Sequence, residues 1–64
     1  MKKEKFVISG KSLIRDALRK IQINKEGFIL LENSKKEVYA LATDGDIRTG
    51  LLSGITLDNK IDKV

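Results

Sequence analysis

Apolar and polar positions alternate along this 64-residue chain in two different rhythms, and the change of rhythm marks its elements. Phe6-Val7-Ile8 is a short β-branched and aromatic run closed by Ser9-Gly10, which predicts a strand. Leu13, Ile14, Ala17, Leu18 and Ile21 follow at offsets 0, 1, 4, 5 and 8, which draws one apolar stripe along a helix of about three turns. Arg15, Asp16, Arg19, Lys20 and Gln22 take its other face, and Asp16 and Lys20 stand at i, i+4, the spacing of an ion pair. Ser12 is placed to cap that helix with its hydroxyl, and Gly27 to stop it in the left-handed region.

Phe28-Ile29-Leu30-Leu31 is a continuous apolar run, short enough for a strand covered on both faces. Asn33-Ser34-Lys35-Lys36 reads as a turn and Val38-Tyr39-Ala40-Leu41-Ala42 as the returning strand of a hairpin, with Ala40 and Ala42 on one face where something large can approach. Thr43-Asp44-Gly45-Asp46 then opens a second helix, with Ile47, Leu51, Leu52 and Ile55 at offsets 0, 4, 5 and 8 and Gly54 near its end. Gly50 weakens that helix by roughly 1 kcal/mol relative to Ala. Residues 56–64, with Leu57, Ile61 and Val64, read as the start of one more element. The order strand, helix, strand, strand, helix predicts an α+β unit of a three-stranded sheet and two amphipathic helices. Helices on one face of such a sheet leave its other face in need of a partner.

Composition sharpens this picture. A chain near 60 residues buries only about 60% of the surface it exposes when unfolded. With no Cys there is no disulfide to help, so a second copy or a neighbouring domain is the expected source of further burial. The absence of His and Cys also removes the common zinc sites and the Ser-His-Asp and Cys-His arrangements. No base, nucleophile pair or metal cluster can be assembled, so the chain by itself is not expected to be an enzyme. No apolar run approaches the ~20 residues of a membrane span, and a soluble cytoplasmic domain is the default. The net charge of +4 is unevenly spread: residues 1–36 hold ten Lys and Arg (Lys2, Lys3, Lys5, Lys11, Arg15, Arg19, Lys20, Lys25, Lys35 and Lys36) against four acids, and residues 37–64 hold three against five. A small basic nucleic-acid-binding protein is one reading of that asymmetry. Only Phe6, Phe28 and Tyr39 are aromatic, however, and they form no stacking platform.

Two motifs fail on spacing. Gly10-Lys11-Ser12 imitates the end of a phosphate-binding loop, but the glycine required five residues earlier is Lys5. Asp44-x-Asp46 imitates a calcium loop whose bidentate Glu would fall on Ile55, and two carboxylates at i, i+2 diverge on a helix. The stretch from Ala40 to Asp46 survives. Thr43 lies where strand becomes helix and Asp46 lies in the first turn, beside N–H groups and the positive end of the helix dipole. A hydroxyl there can meet a phosphate or sugar oxygen, a carboxylate can accept from both hydroxyls of a ribose, and Arg48 can add a positive charge near phosphate. The same residues also make a good N-cap with no ligand, since first-turn acids are favoured by the dipole alone.

With Ile14-Arg15-Asp16-Ala17-Leu18 in the first helix and Ala40-Leu41-Ala42-Thr43-Asp44-Gly45-Asp46 leading into the second, the whole chain resembles one CBS motif, the cystathionine β-synthase-type repeat that occurs in pairs in regulatory modules. The string Thr43-Asp44-Gly45-Asp46-Ile47-Arg48, followed by Leu51-Leu52 and Gly54, resembles the CBS pairs that precede sugar-phosphate nucleotidyltransferase domains. The resemblance implies half of a CBS pair, a fragment of a longer protein, that binds AMP, ADP or ATP in a cleft between paired motifs and controls a linked enzyme. It carries no resident cofactor or metal. By the same resemblance Thr43 meets phosphate or ribose and Asp46 the ribose hydroxyls. Asp44, Gly45 and Arg48 complete the helix start, and Ile8 and Leu41 line the base. The partner is a second motif, expected to be an identical chain in a homodimer. Two positions depart from the pattern: Ala40 stands where the family has Gly, and Thr49 where a second Arg often follows Arg48. A dimerisation module that has lost its ligand is the alternative these departures leave open.

Overall fold

The computed structural model describes residues 3–64, so that Lys2 of the basic half lies outside it. A 3-10 turn at Lys3–Lys5 leads into β1 (Val7–Ser9), followed by α1 (Ile14–Asn24), β2 (Phe28–Glu32), β3 (Val38–Thr43) and α2 (Asp44–Leu52), and a second 3-10 turn spans Ile61–Lys63. The topology is β-α-β-β-α. The sheet runs β1-β2-β3, with β1 parallel to β2 and β2 antiparallel to β3, so the hairpin occupies one side and α1 is the crossover.

Register decides which residues share a face. Ile8 pairs with Leu31 and Leu31 with Ala40, and Ile29 pairs with Ala42. These residues face the helices and pack in one core with Ile14, Ala17, Ile21, Ile47 and Ile61. The alternate row, Val7 with Leu30 and Leu30 with Leu41, faces the other way. There Leu41 and Val38 are exposed and Phe28 and Leu30 half-buried. The run Phe28–Leu31 is therefore buried on one face only, not on both, because the helices all lie on that one side. Phe6 and Val7 are buried apart from the main core, with Phe6 stacked on Phe28 at 5.8 Å between ring centres. Ala40 and Ala42 do sit where something large approaches, and that neighbour is the helix layer with Ile47 and Ile61.

The turn 33–36 is closed by Asn33, whose side-chain oxygen accepts from the N–H groups of Lys35 (2.9 Å) and Glu37 (3.0 Å). A bulge between Leu31 and Glu32 leaves Tyr39 as the extra residue of β3. Its hydroxyl reaches across to Gly10, where a β-carbon would stand 1.8 Å from it; only glycine admits that approach without moving the ring.

Several sequence expectations change here. Ser12 does not cap α1. Leu13 is the N-cap residue and its side chain has no acceptor to offer; the first-turn N–H groups of Ile14 and Arg15 donate to the carbonyls of Asn59 (2.9 Å) and Leu57 (3.1 Å). The left-handed stop falls on Lys25 (φ 60°), whose N–H donates to the carbonyl of Ile21, two residues before Gly27. Asp16 meets Arg19 at 3.9 Å, one residue short of Lys20. α2 ends at Leu52, so Ile55 lies beyond the helix, and Leu52 itself is 85% exposed. At about 100° per residue, Leu51 stands about 40° from Ile47 and Leu52 about 140° from it, so only Leu51 joins the core. Residues 56–64 fold back on the unit: Lys60 bridges Leu13, and Ile61 is only 1% exposed.

Candidate functional site

Thr43 ends β3 in extended geometry and begins α2, so one residue closes the ladder and caps the helix. Its hydroxyl oxygen accepts from the Asp46 N–H (3.0 Å) while the Asp46 carboxylate accepts from the Thr43 N–H (3.0 Å). This reciprocal pair is a capping box with Asp in the place usually held by Glu or Gln. The Asp44 N–H donates to the carbonyl of Gly27 at 2.9 Å. Donors that an anion at the helix start would use are thus engaged inside the fold.

The bond from the Thr43 N–H, and after it the bond with the Thr43 hydroxyl, hold the Asp46 carboxyl below its ordinary value. The group is a fixed anion at neutral pH. A folded-state value below the unfolded one contributes stability in full above the ordinary aspartate value of about 3.9 and loses it as pH falls through the folded value. Urea midpoints are therefore expected to decline below about pH 4, with Asp46→Asn losing that part of the decline. Parallel pH profiles for the two chains would reject the assignment.

Arg48 pairs with Asp44 one helical turn back, at 2.7 Å. The pair is exposed and contributes little to stability. Gly45 is exposed on the same first turn.

Beside this turn runs an open groove of about 520 Å³ along the free edge of β3. Ala40, Leu41 and Ala42 form its floor with Leu31. Asp46, Thr49 and Gly50 of α2 make one wall with Ser53 just past the helix end, and Ile61, Lys63 and Val64 make the other. Its size and its mix of an apolar floor with a few polar groups suit a small-molecule ligand. Of the residues singled out from sequence, Asp46 and Leu41 line this groove. Thr43, Asp44, Gly45 and Arg48 gather at the helix start next to it. Ile8 is on β1, with β2 between it and β3, half-buried against the core and outside the groove.

Thr49, Ser53 and Lys63 line the groove and were not anticipated. Thr49 had a signal, since it follows Asp46 at i+3 on the same face of α2, and Ser53 stands four residues further on as the C-cap residue of that helix. Lys63 had none, since only the return of the chain brings it there.

No protein family and no curated protein matches the chain. Among solved structures it is similar to an uncharacterized conserved protein from Pyrococcus horikoshii, with a TM-score of 0.82 at 20% identity. The match covers 100% of this chain and 49% of that one, so the chain spans about half the length of its structural relative. At that identity the likeness concerns the fold. Among the described residues no helix is long and apolar enough to cross a membrane.

Proposed function

We propose that the chain is a non-catalytic regulatory module of the CBS type. It binds an adenine nucleotide (AMP, ADP or ATP) at the β3–α2 junction and acts on a linked enzyme, of which a sugar-phosphate nucleotidyltransferase is the best candidate from sequence. The observation that carries this reading is the Asp46 carboxylate, held anionic by Thr43 at the rim of a groove whose floor is the small-residue strand Ala40–Ala42. A carboxylate so fixed suits the paired hydroxyls of a ribose, and Thr49, Ser53 and Lys63 add polar and positive groups along the same groove.

Pairing with a second motif, an identical chain, is part of the reading. The open sheet face with Val38, Leu41 and the half-buried Leu30 is the apolar surface that such a copy covers. A fold that fills half of a longer chain in its structural relative is in keeping with a unit that works beside another. Titration calorimetry with AMP, ADP, ATP and GTP up to millimolar concentration tests the proposal. Adenine nucleotides are expected to give heat and to be preferred over GTP. No heat with any of them in the folded chain rejects it.

One set of contacts favours the alternative of a dimerisation module without ligand. Thr43 and Asp46 already satisfy each other, and Arg48 is bound to Asp44. That reading predicts a dimer by sedimentation whose dissociation does not respond to nucleotide.

A further inference from the structure

The segment 57–63 is held differently from the rest of the fold. Four backbone bonds tie it to the β1–α1 junction: Ile14 N–H to Asn59 C=O (2.9 Å), Arg15 N–H to Leu57 C=O (3.1 Å), Ile61 N–H to Ser12 C=O (2.7 Å) and Asp62 N–H to Gly10 C=O (3.2 Å). An exposed ion pair joins Arg15 to Asp58. Ile61 is its one buried side chain, whereas Leu57 and Val64 on either side are exposed. The segment therefore acts as a strap with a single apolar anchor. It caps α1 on one side, and on the other its residues Ile61 and Lys63, with Val64, form one wall of the groove beside Asp46.

We infer that strap docking and groove occupancy are coupled. A ligand seated between the α2 wall and the strap wall touches both, so it binds the docked state better than the released one and shifts the population toward docking. Release of the strap takes away the Ile61–Val64 wall and at the same time exposes the Ile14 and Arg15 N–H groups at the start of α1. The strap is the moving part through which this site reports that it is filled. The inference rests on the nucleotide reading of the groove and adds a regulatory element to it.

Hydrogen exchange of the native chain, with and without ATP as the probe, is the test, alongside calorimetry of the same sample. Without ATP, the N–H groups of Ile14, Arg15, Ile61 and Asp62 are expected to exchange as one set, faster than those of Ile29 and Leu31 in the core. With ATP at ten times its dissociation constant, that set should slow about tenfold, the factor that linkage requires when release destroys the site. Heat from ATP with no slowing of the set overturns the coupling and leaves the nucleotide reading in place. No heat at all removes the nucleotide reading and the coupling with it. A second arm uses the bridge between Leu13 and Lys60, close enough for a cross-strand disulfide in a chain that has no cysteine of its own. The oxidised L13C/K60C chain, its strap held down, must still bind ATP at least as tightly as the reduced one. Weaker binding on oxidation overturns the proposal.

Discussion

Ile47→Ala is expected to lower the stability of the chain by about 2–5 kcal/mol, the range for truncating a large aliphatic side chain in a packed core. Ile47 is fully buried and is the one buried residue of α2, sitting between the helix and the Ala42 row of the sheet. A domain of this size has in total about 3–10 kcal/mol to lose. The melting temperature should fall by at least about 8 °C, since each 1 kcal/mol corresponds to about 4–8 °C in so small a domain. Leu52→Ala is the matched control. Both residues belong to the apolar pattern of the same helix, yet Leu52 is exposed and its truncation should change stability by less than about 0.5 kcal/mol. Urea denaturation of the two variants separates the cases. Equal losses would place α2 in a different rotation about its axis.

Asp46→Asn should weaken adenine-nucleotide binding about ten- to a hundredfold while leaving the fold in place. The size follows from hydrogen bonds to a charged group, which contribute about 1.5–3 kcal/mol, converted to affinity. Asparagine keeps an oxygen that can accept from the Thr43 N–H, so the capping box survives and what disappears is the charge. The stability change should be small, since an exposed first-turn carboxylate interacts only weakly with the helix dipole. Asp46→Ala, by contrast, would remove cap and ligand contact together. Wild-type affinity in the Asn variant would assign Asp46 to capping alone and favour the ligand-free dimerisation reading.

The contrast between Ile47 and Leu52 shows what was legible in the sequence. Element order and type could be read because β-branched runs and helical offsets differ in period, and each run is short and cleanly bounded. The direction of a helix face was less legible, since a spacing list admits Leu51 and Leu52 alike and only the neighbouring sheet selects one. Ser12 does not cap α1 for a related reason. Local chemistry makes Ser a good cap, but carbonyls from residues 57 and 59 reach the helix start first. Nothing within ten residues of Ser12 could have announced that. The candidate site was legible where it is local, at Thr43 and Asp46, whose capping box is a matter of adjacent residues. It was illegible where the groove takes a wall from Lys63 and Val64, far along the chain.

That distant wall has a consequence for the order of folding. The sheet and both helices can form from contacts between neighbouring elements, but the closing bonds join residues 10–15 to residues 57–62, with Arg15 and Asp58 separated by 43 positions. Loop closure of that length costs entropy before any contact repays it, so these contacts are expected to form late. Until residues 57–59 dock, the first-turn N–H groups of Ile14 and Arg15 lack their carbonyl partners. Until that docking the core is unfinished, with the Ile61 position empty and its apolar lining exposed to aggregation.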